Sequence, residues 1–265
     1  MKRLCCVMLS ALLLVLSLGR LTALRVDSAR AQAAFDALMP LDTSAPEAAA
    51  HEILPTQSAP QDAGEPTPDD RLAPLIAANP DLAAWLTVEG TRINCPVMYT
   101  PCDPDHYLRR DFEGRDSRSG TPYFSALCDA DSNSLLVYGH NMCDGTVFSD
   151  LLLYADEAFA REHPCIVLDT PGGVLTFEPV AAFRECVHDS SEPDAFRYYD
   201  YVGVLTPERF DEYVARIRAC ALYDTGVVPA YGDRLLTLST CSGHAPRGRM
   251  VLVAAAAEQG GIRAV

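Results

Sequence analysis

The sequence Leu235-Leu236-Thr237-Leu238-Ser239-Thr240-Cys241 alternates between two kinds of side chain along its length. Successive side chains of an extended strand point to opposite faces, so this pattern predicts a β-strand with two different faces. One face carries Leu236, Leu238 and Thr240. The other carries Thr237, Ser239 and Cys241. Because the leucines can enter a core, the opposite face becomes a polar row that ends in a thiol.

Two further strand-like segments place reactive side chains at strand ends. Residues 249–253 begin with Arg249 and follow the first segment after a short loop with glycine and proline, so a hairpin would bring Arg249 close to Cys241. Far upstream, the apolar run 135–138 leads into His140. A thiol, an imidazole and a guanidinium are the parts of a thiolate-based acyl-transfer site.

The segments around these residues resemble the signature sequences of a known family. Tyr138-Gly139-His140-Asn141-Met142 resembles the histidine motif of sortases, class B in particular. Leu236-Thr237-Leu238-Ser239-Thr240-Cys241, with Arg249 leading a valine-rich strand, resembles their cysteine and arginine motif. Further segments resemble the family in the order in which they occur along its chain, and they extend the resemblance from about Leu75 to about Ala255.

The resemblance implies both a fold and a reaction. Many short strands with few helices already favour a closed or nearly closed β-barrel. The resemblance implies the mainly β sortase barrel of eight strands, with short helices that include one inserted before the cysteine strand. It also implies a cysteine transpeptidase, which cleaves a sorting signal in a surface protein and transfers the acyl group through a thioester to an amine. That amine would belong to peptidoglycan or to a pilin subunit, and no cofactor is implied.

The same resemblance assigns roles to individual residues. Cys241 is the expected nucleophile, His140 the expected proton donor and acceptor, and Arg249 the expected partner of the oxyanion. Ser239 and Thr240, which precede the thiol on its strand, are the candidate substrate-binding residues.

Three neighbouring residues offer alternatives to these assignments. The loop between Cys241 and Arg249 is short for class B, so Arg247 is a rival for the arginine role, and His244 is a second histidine near the thiol. Cys143 follows His140 closely, and a disulfide between Cys143 and Cys241 would switch such an enzyme off.

Two other functions stay open at this point. A cysteine protease-like hydrolase would use the same residues, with water in place of the amine acceptor. A tethered binding domain without enzymatic activity would need none of the three residues, and all three are present.

Composition excludes one class of partner and leaves metal binding unsupported. The 265 residues carry a formal net charge of -15, whereas binding to nucleic acid requires a basic surface. None of the ten cysteines forms a Cys-x-x-Cys pair, and structural zinc sites normally use clustered pairs, so no metal site is predicted. We expect most of these cysteines to be small buried side chains.

The N-terminal part of the chain divides into two predicted segments. Residues 1–25 combine a positive start with an uncharged run from Leu4 to Gly19, which predicts a membrane anchor or signal segment. Residues 26–71 contain a weak amphipathic helix over 26–39 and a proline-rich acidic stretch, which predict a partly disordered extracytoplasmic linker. Residues 72–265 would form the catalytic domain. The expected location is therefore the cell membrane, with a single N-terminal span and an extracytoplasmic catalytic domain; a cleaved signal peptide is the alternative.

Several local elements are also predicted. We expect a helix over 74–79, strands over 84–88, 93–98 and 121–127, and one or two short helices over 147–160. Thr206 and Pro207 have the order of an N-cap and a first helical residue, which predicts a helix with an apolar stripe. Pro96 favours a strand edge or end, and residues 254–265 are expected to be a frayed tail.

Overall fold

The computed structural model describes residues 13–15, 17, 19, 22, 26, 30, 33–38, 68–189, 191–192 and 195–256. Eight strands form a closed barrel in the order β1-β2-β3-β4-β7-β8-β6-β5, which confirms the predicted architecture. The strands are β1 Leu82–Val88, β2 Asn94–Met98, β3 Tyr123–Phe124, β4 Ser134–Tyr138, β5 Ile166–Thr170, β6 Gly173–Cys186, β7 Arg234–Cys241 and β8 Gly248–Ala256. The α-helices of at least six residues within 68–256 are α1 Pro68–Ala78, α2 Glu157–Glu162 and α3 Pro207–Cys220.

The barrel joins β4 and β7 as parallel neighbours although they lie far apart in sequence. A parallel pair needs a long crossover connection, and here the connection carries α2, the β5–β6 hairpin and α3. β7 then pairs with β8 as an antiparallel hairpin. Both strand pairs therefore meet on β7, the strand that ends at Cys241.

The register of these three strands aligns their ends. In β4 and β7, Tyr138 lies opposite Ser239. His140 follows Tyr138 by two residues and Cys241 follows Ser239 by two residues, so both lie at the same end of the barrel. In β7 and β8, Cys241 lies directly opposite Arg249.

Strand β7 separates two hydrophobic clusters, although its alternation predicted a core on one face only. Leu236 and Leu238 are fully buried in the cluster that fills the barrel. The opposite face is also buried, because α3 and the preceding segment cover it. There Thr237 shares a hydrogen bond of 2.9 Å with the Tyr213 hydroxyl, and Ser239 shares one of 2.8 Å with the Tyr198 hydroxyl. The two hydroxyls of the polar row are thus paired and buried, and only Cys241 at its end is exposed.

Helix α3 begins as its sequence predicts. Thr206 is the N-cap, and its hydroxyl accepts a hydrogen bond of 3.4 Å from the backbone N–H of Arg209. Pro207 occupies the first turn, where the backbone needs no N–H donor. The apolar stripe of the helix packs on the outer face of the barrel through Phe210, Tyr213, Val214 and Ile217.

Three predicted element boundaries are wrong. Helix α1, which was predicted over 74–79, begins at Pro68 and contains Pro74 in its interior. The strand predicted over 121–127 is reduced to Tyr123–Phe124. β8 continues to Ala256, because Ala256 pairs with Arg234 at the start of β7, so residues 254–256 are not frayed; the rest of the predicted tail lies outside the described residues.

Pro96 lies inside β2, where it pairs with Trp85 of β1. On its other side β2 pairs with β3 only at Met98, so the edge facing away from β1 is largely unpaired. A residue without a backbone N–H is tolerated at such an edge.

The expectation that most cysteines are buried is also wrong. Of the eight cysteines in the described part of the chain, only Cys95 and Cys128 are buried. Cys102 and Cys143 lie in turns and Cys220 lies at the end of α3, where packing from the core does not reach them.

The prediction of a single N-terminal membrane span is contradicted. Within the described residues, no helix has the length and apolar character needed to cross a bilayer. The uncharged run that suggested a span ends at Arg20 after sixteen residues, fewer than the roughly 20 that a bilayer core requires. Much of the segment 1–25, and most of the predicted linker 26–71, lies outside the described residues.

Gly139 permits close packing between β4 and the segment that follows it. A Cβ atom at this position would lie 2.5 Å from the ring of the fully buried Phe148. We therefore expect Gly139→Ala to lower the free energy of unfolding by about 1–3 kcal/mol, the usual cost of overpacking. The change would be measured by urea denaturation.

Gly172→Ala is the matched control, because its new Cβ would meet no atom closer than 3.7 Å. Equal stability of the two variants would contradict the proposed packing role of Gly139.

Candidate active site

Cys241, His140 and Arg249 lie side by side at one end of the barrel. Cys241 is the last residue of β7, Arg249 is the second residue of β8, and His140 follows β4 by two residues. Cys241 is exposed, whereas His140 and Arg249 are half-buried. The structure therefore brings together all three residues singled out from the sequence.

Arg249 contacts the thiol directly. Its Nη1 donates a hydrogen bond of 3.2 Å to Sγ of Cys241 and a longer one of 3.3 Å to the carbonyl of Gly248. The rival Arg247 instead forms an ion pair of 3.1 Å with Asp189. Of the two arginines, Arg249 is therefore the one that contacts the nucleophile candidate.

His140 is oriented by a backbone carbonyl. Its Nε2 lies 2.9 Å from the carbonyl oxygen of Leu108, which belongs to the 3-10 turn His106–Arg109. A carbonyl oxygen can only accept, so Nε2 must carry the hydrogen and Nδ1 is the nitrogen left to take up a proton. The rival His244 lies on the exposed β7–β8 loop, where its Nδ1 is 3.0 Å from Oγ of Ser242.

Two further hydrogen bonds join the histidine segment to the cysteine strand. The side-chain amide of Asn141 donates to the carbonyl of Cys241 at 2.9 Å. The hydroxyl of Thr240 donates to the carbonyl of Gly139 at 2.8 Å. The positions of His140 and Cys241 are therefore coupled through their neighbours.

A cavity of about 120 Å³ opens between the 3-10 turn and the three strand ends. Its lining consists of Tyr107, Leu108, Ser119, Thr121, Tyr123, Tyr138, Gly139, His140, Ser239, Thr240, Cys241 and Arg249. Ser239 and Thr240 line this cavity, but both hydroxyls are already hydrogen-bonded within the protein. Their role in substrate binding stays a prediction.

Two tyrosines of this cavity remain neutral phenols. Burial, reinforced by the nearby Asp105, raises the pKa of Tyr123 to about 12. Burial likewise raises the pKa of Tyr138. The Tyr123 hydroxyl already donates a hydrogen bond of 3.4 Å to Asp105, whereas the Tyr138 phenol can donate to a ligand. The positive charge of Arg249 lies beside both rings.

Several contacts of the site were missed by the sequence analysis. The carbonyl of Leu108 carries no side-chain signal, so no motif could identify it. Asn141 was noted only as a neighbour in sequence, and its contact with Cys241 depends on the parallel pairing of β4 and β7. Among the described residues, no group of three or more His, Cys, Asp or Glu side chains could hold a metal ion.

The closed eight-stranded barrel is the fold that the sequence resemblance implied, and known proteins support it. Sortase B of Listeria monocytogenes serovar 1/2a is 30% identical over 191 residues, which cover 69% of this chain and 72% of that protein. Sortase B of Staphylococcus aureus is 26% identical over 170 residues, covering 63% and 66%. The chain therefore belongs to the sortase family, class B, whose members are sortase-type transpeptidases.

Solved structures agree with this assignment. A mutant form of Clostridium perfringens sortase B matches with a TM-score of 0.63 and 27% identity, covering 71% of this chain and 87% of that one. A Staphylococcus aureus sortase B structure has a TM-score of 0.66 and covers 89% and 99%, but at 20% identity it supports the fold alone. No protein-family model matches the sequence.

The contact with Leu108 predicts the tautomer of His140. In the neutral imidazole we expect the hydrogen to reside on Nε2, because the facing atom is a carbonyl oxygen. Ring ¹⁵N chemical shifts would measure this directly. His106 is an internal comparison, since its Nδ1 faces a carboxylate oxygen of Asp103 at 3.0 Å and should carry the hydrogen. A neutral His140 protonated on Nδ1 would contradict the assignment.

Proposed function

We propose that this chain cleaves a sorting signal in a surface protein and transfers the acyl group through a Cys241 thioester to an amine of peptidoglycan or of a pilin subunit. The observation that carries the proposal is the contact between Arg249 and the Cys241 sulphur, with His140 at the neighbouring strand end. Residues 72–265 would be the catalytic unit, and residues 26–71 a linker.

The first half-reaction forms the thioester. The Cys241 thiolate attacks the carbonyl carbon of the scissile peptide bond, and the carbonyl oxygen becomes an oxyanion. We expect Arg249, which donates to the sulphur, to donate to this oxygen as well. The intermediate collapses when the C–N bond breaks, and the leaving amine takes a proton from protonated His140.

The second half-reaction releases the enzyme. An amine attacks the thioester carbon, and neutral His140 accepts the proton that the amine loses. The C–S bond then breaks, and a new amide and the thiolate are formed. Because Nε2 is hydrogen-bonded to Leu108, Nδ1 is the nitrogen that we expect to give and take this proton.

The two arginines near the thiol provide a sharp test. We expect Arg249→Ala to lower kcat/KM for peptide cleavage by roughly 10²- to 10³-fold, the usual cost of losing one oxyanion donor. Arg247→Ala should stay within about threefold of wild type, because an exposed ion pair contributes little. Cys241→Ala should show no turnover. A larger loss from Arg247→Ala than from Arg249→Ala would reverse the assignment.

The choice between amine and water is the second test. The protein would be incubated with a library of sorting-signal peptides, with and without amine acceptors, and the products identified by mass spectrometry. We expect amide products that contain the acceptor. If cleavage yields only free carboxylates at every acceptor concentration, the chain is a hydrolase that uses the same residues.

A further inference from the structure

Arg249 lies between two possible partners in the sheet. On one side it pairs with Cys241 of β7, and on the other side it pairs with Glu185 of β6. Directly paired residues of antiparallel strands point to the same face, with Cβ atoms about 4.5–5.5 Å apart. The guanidinium can therefore turn towards a thiol or towards a carboxylate.

Charge alone would favour the carboxylate. Arginine and glutamate commonly form short, two-pronged ion pairs, which are stronger than hydrogen bonds to neutral groups. Yet Arg249 donates to Cys241, and among the residues that the structure describes it forms no ion pair within 4.0 Å. Another interaction of Glu185 must therefore prevent an ion pair between Glu185 and Arg249.

The carboxylate of Glu185 accepts two hydrogen bonds from groups other than Arg249. Its Oε1 accepts a hydrogen bond of 2.8 Å from the backbone N–H of Cys186 and another of 3.0 Å from Nε2 of His188. The other ring nitrogen of His188 faces Glu192 at 3.1 Å. Because both nitrogens face carboxylates, which only accept, the ring is set up to donate twice, as an imidazolium does.

The position of His188 is itself fixed. The Tyr199 hydroxyl accepts a hydrogen bond of 3.2 Å from the His188 backbone N–H and donates one of 3.1 Å to its carbonyl. The hydrogen bonds to Glu185 and Glu192 raise the pKa of His188. A positive charge beside Glu185 both neutralises its attraction for Arg249 and repels the guanidinium.

We propose that His188 is a positioning residue, which keeps Arg249 on the Cys241 sulphur by holding Glu185. The inference rests on the proposed function only for the importance of Arg249 in turnover. Loss of His188 frees Glu185 to pair with Arg249, and the thiol loses its hydrogen-bond donor. Neutralising Glu185 in the same molecule removes the competing partner and returns Arg249 to the thiol.

The test combines His188→Ala with Glu185→Gln and measures the alkylation rate of Cys241 by iodoacetamide. Peptide-resolved mass spectrometry is needed because Cys102, Cys143 and Cys220 are also exposed. We expect His188→Ala to slow alkylation roughly tenfold, since a hydrogen bond to a charged group is typically worth at least that factor. The double variant should recover to within about twofold of wild type.

Glu192→Gln is the matched control, because it removes the charge of the outer partner of His188 and keeps the hydrogen bond between His188 and Glu185. This variant should alkylate at the wild-type rate. If His188→Ala does not fold, His188→Gln removes the charge at smaller structural cost and should also slow alkylation. Wild-type alkylation in the folded His188 variants, or failure of Glu185→Gln to restore it, would overturn the inference.

A parallel measurement of kcat separates this inference from the proposed function, because alkylation requires no peptide substrate. The pattern of loss and recovery in alkylation supports the role of His188 even if the wild-type protein transfers no acyl group. If wild type and His188→Ala both catalyse transpeptidation and alkylate at the same rate, the positioning role of His188 is rejected. The proposed function is then unaffected.

Discussion

The site depends on the register of β7 against its two neighbours. Parallel pairing with β4 brings the histidine segment level with the end of β7, and antiparallel pairing with β8 puts Arg249 opposite Cys241. A slip of one residue in either pairing would move the side chains concerned to the opposite face of the sheet. The relative positions of His140, Cys241 and Arg249 therefore depend on the interactions that fix the register of β7.

Two different kinds of interaction hold that register. Inside the barrel, fully buried leucines at 236 and 238 fill the core. On the outer face, the hydroxyls of Thr237 and Ser239 pair with Tyr213 of α3 and with Tyr198. An unpaired buried hydroxyl would cost about 1–3 kcal/mol, so any register that separates these pairs is disfavoured. The helix inserted before the cysteine strand thus helps to align the site from the outside.

The sequence predicted most of this arrangement because its signals are local. Alternation along β7 revealed both faces, and the order of Thr206 and Pro207 revealed the start of α3. The sequence favoured Arg249 over Arg247 because Arg249 leads the valine-rich strand, but the contact of Arg249 with the thiol depends on the hairpin register. Leu108 could not be found, because a backbone carbonyl has no residue-specific signature. The prediction of an N-terminal span was wrong, because no helix within the described residues is long and apolar enough to cross a bilayer.

The central claim is that Cys241 carries the acyl group. Rapid mixing with a cleavable sorting-signal peptide, acid quenching and intact-mass analysis would detect the thioester directly. The account predicts a mass increase equal to the acyl fragment, located at Cys241 by peptide mapping and lost on treatment with hydroxylamine. Cleavage without such an adduct, or an adduct on Cys143, would contradict it.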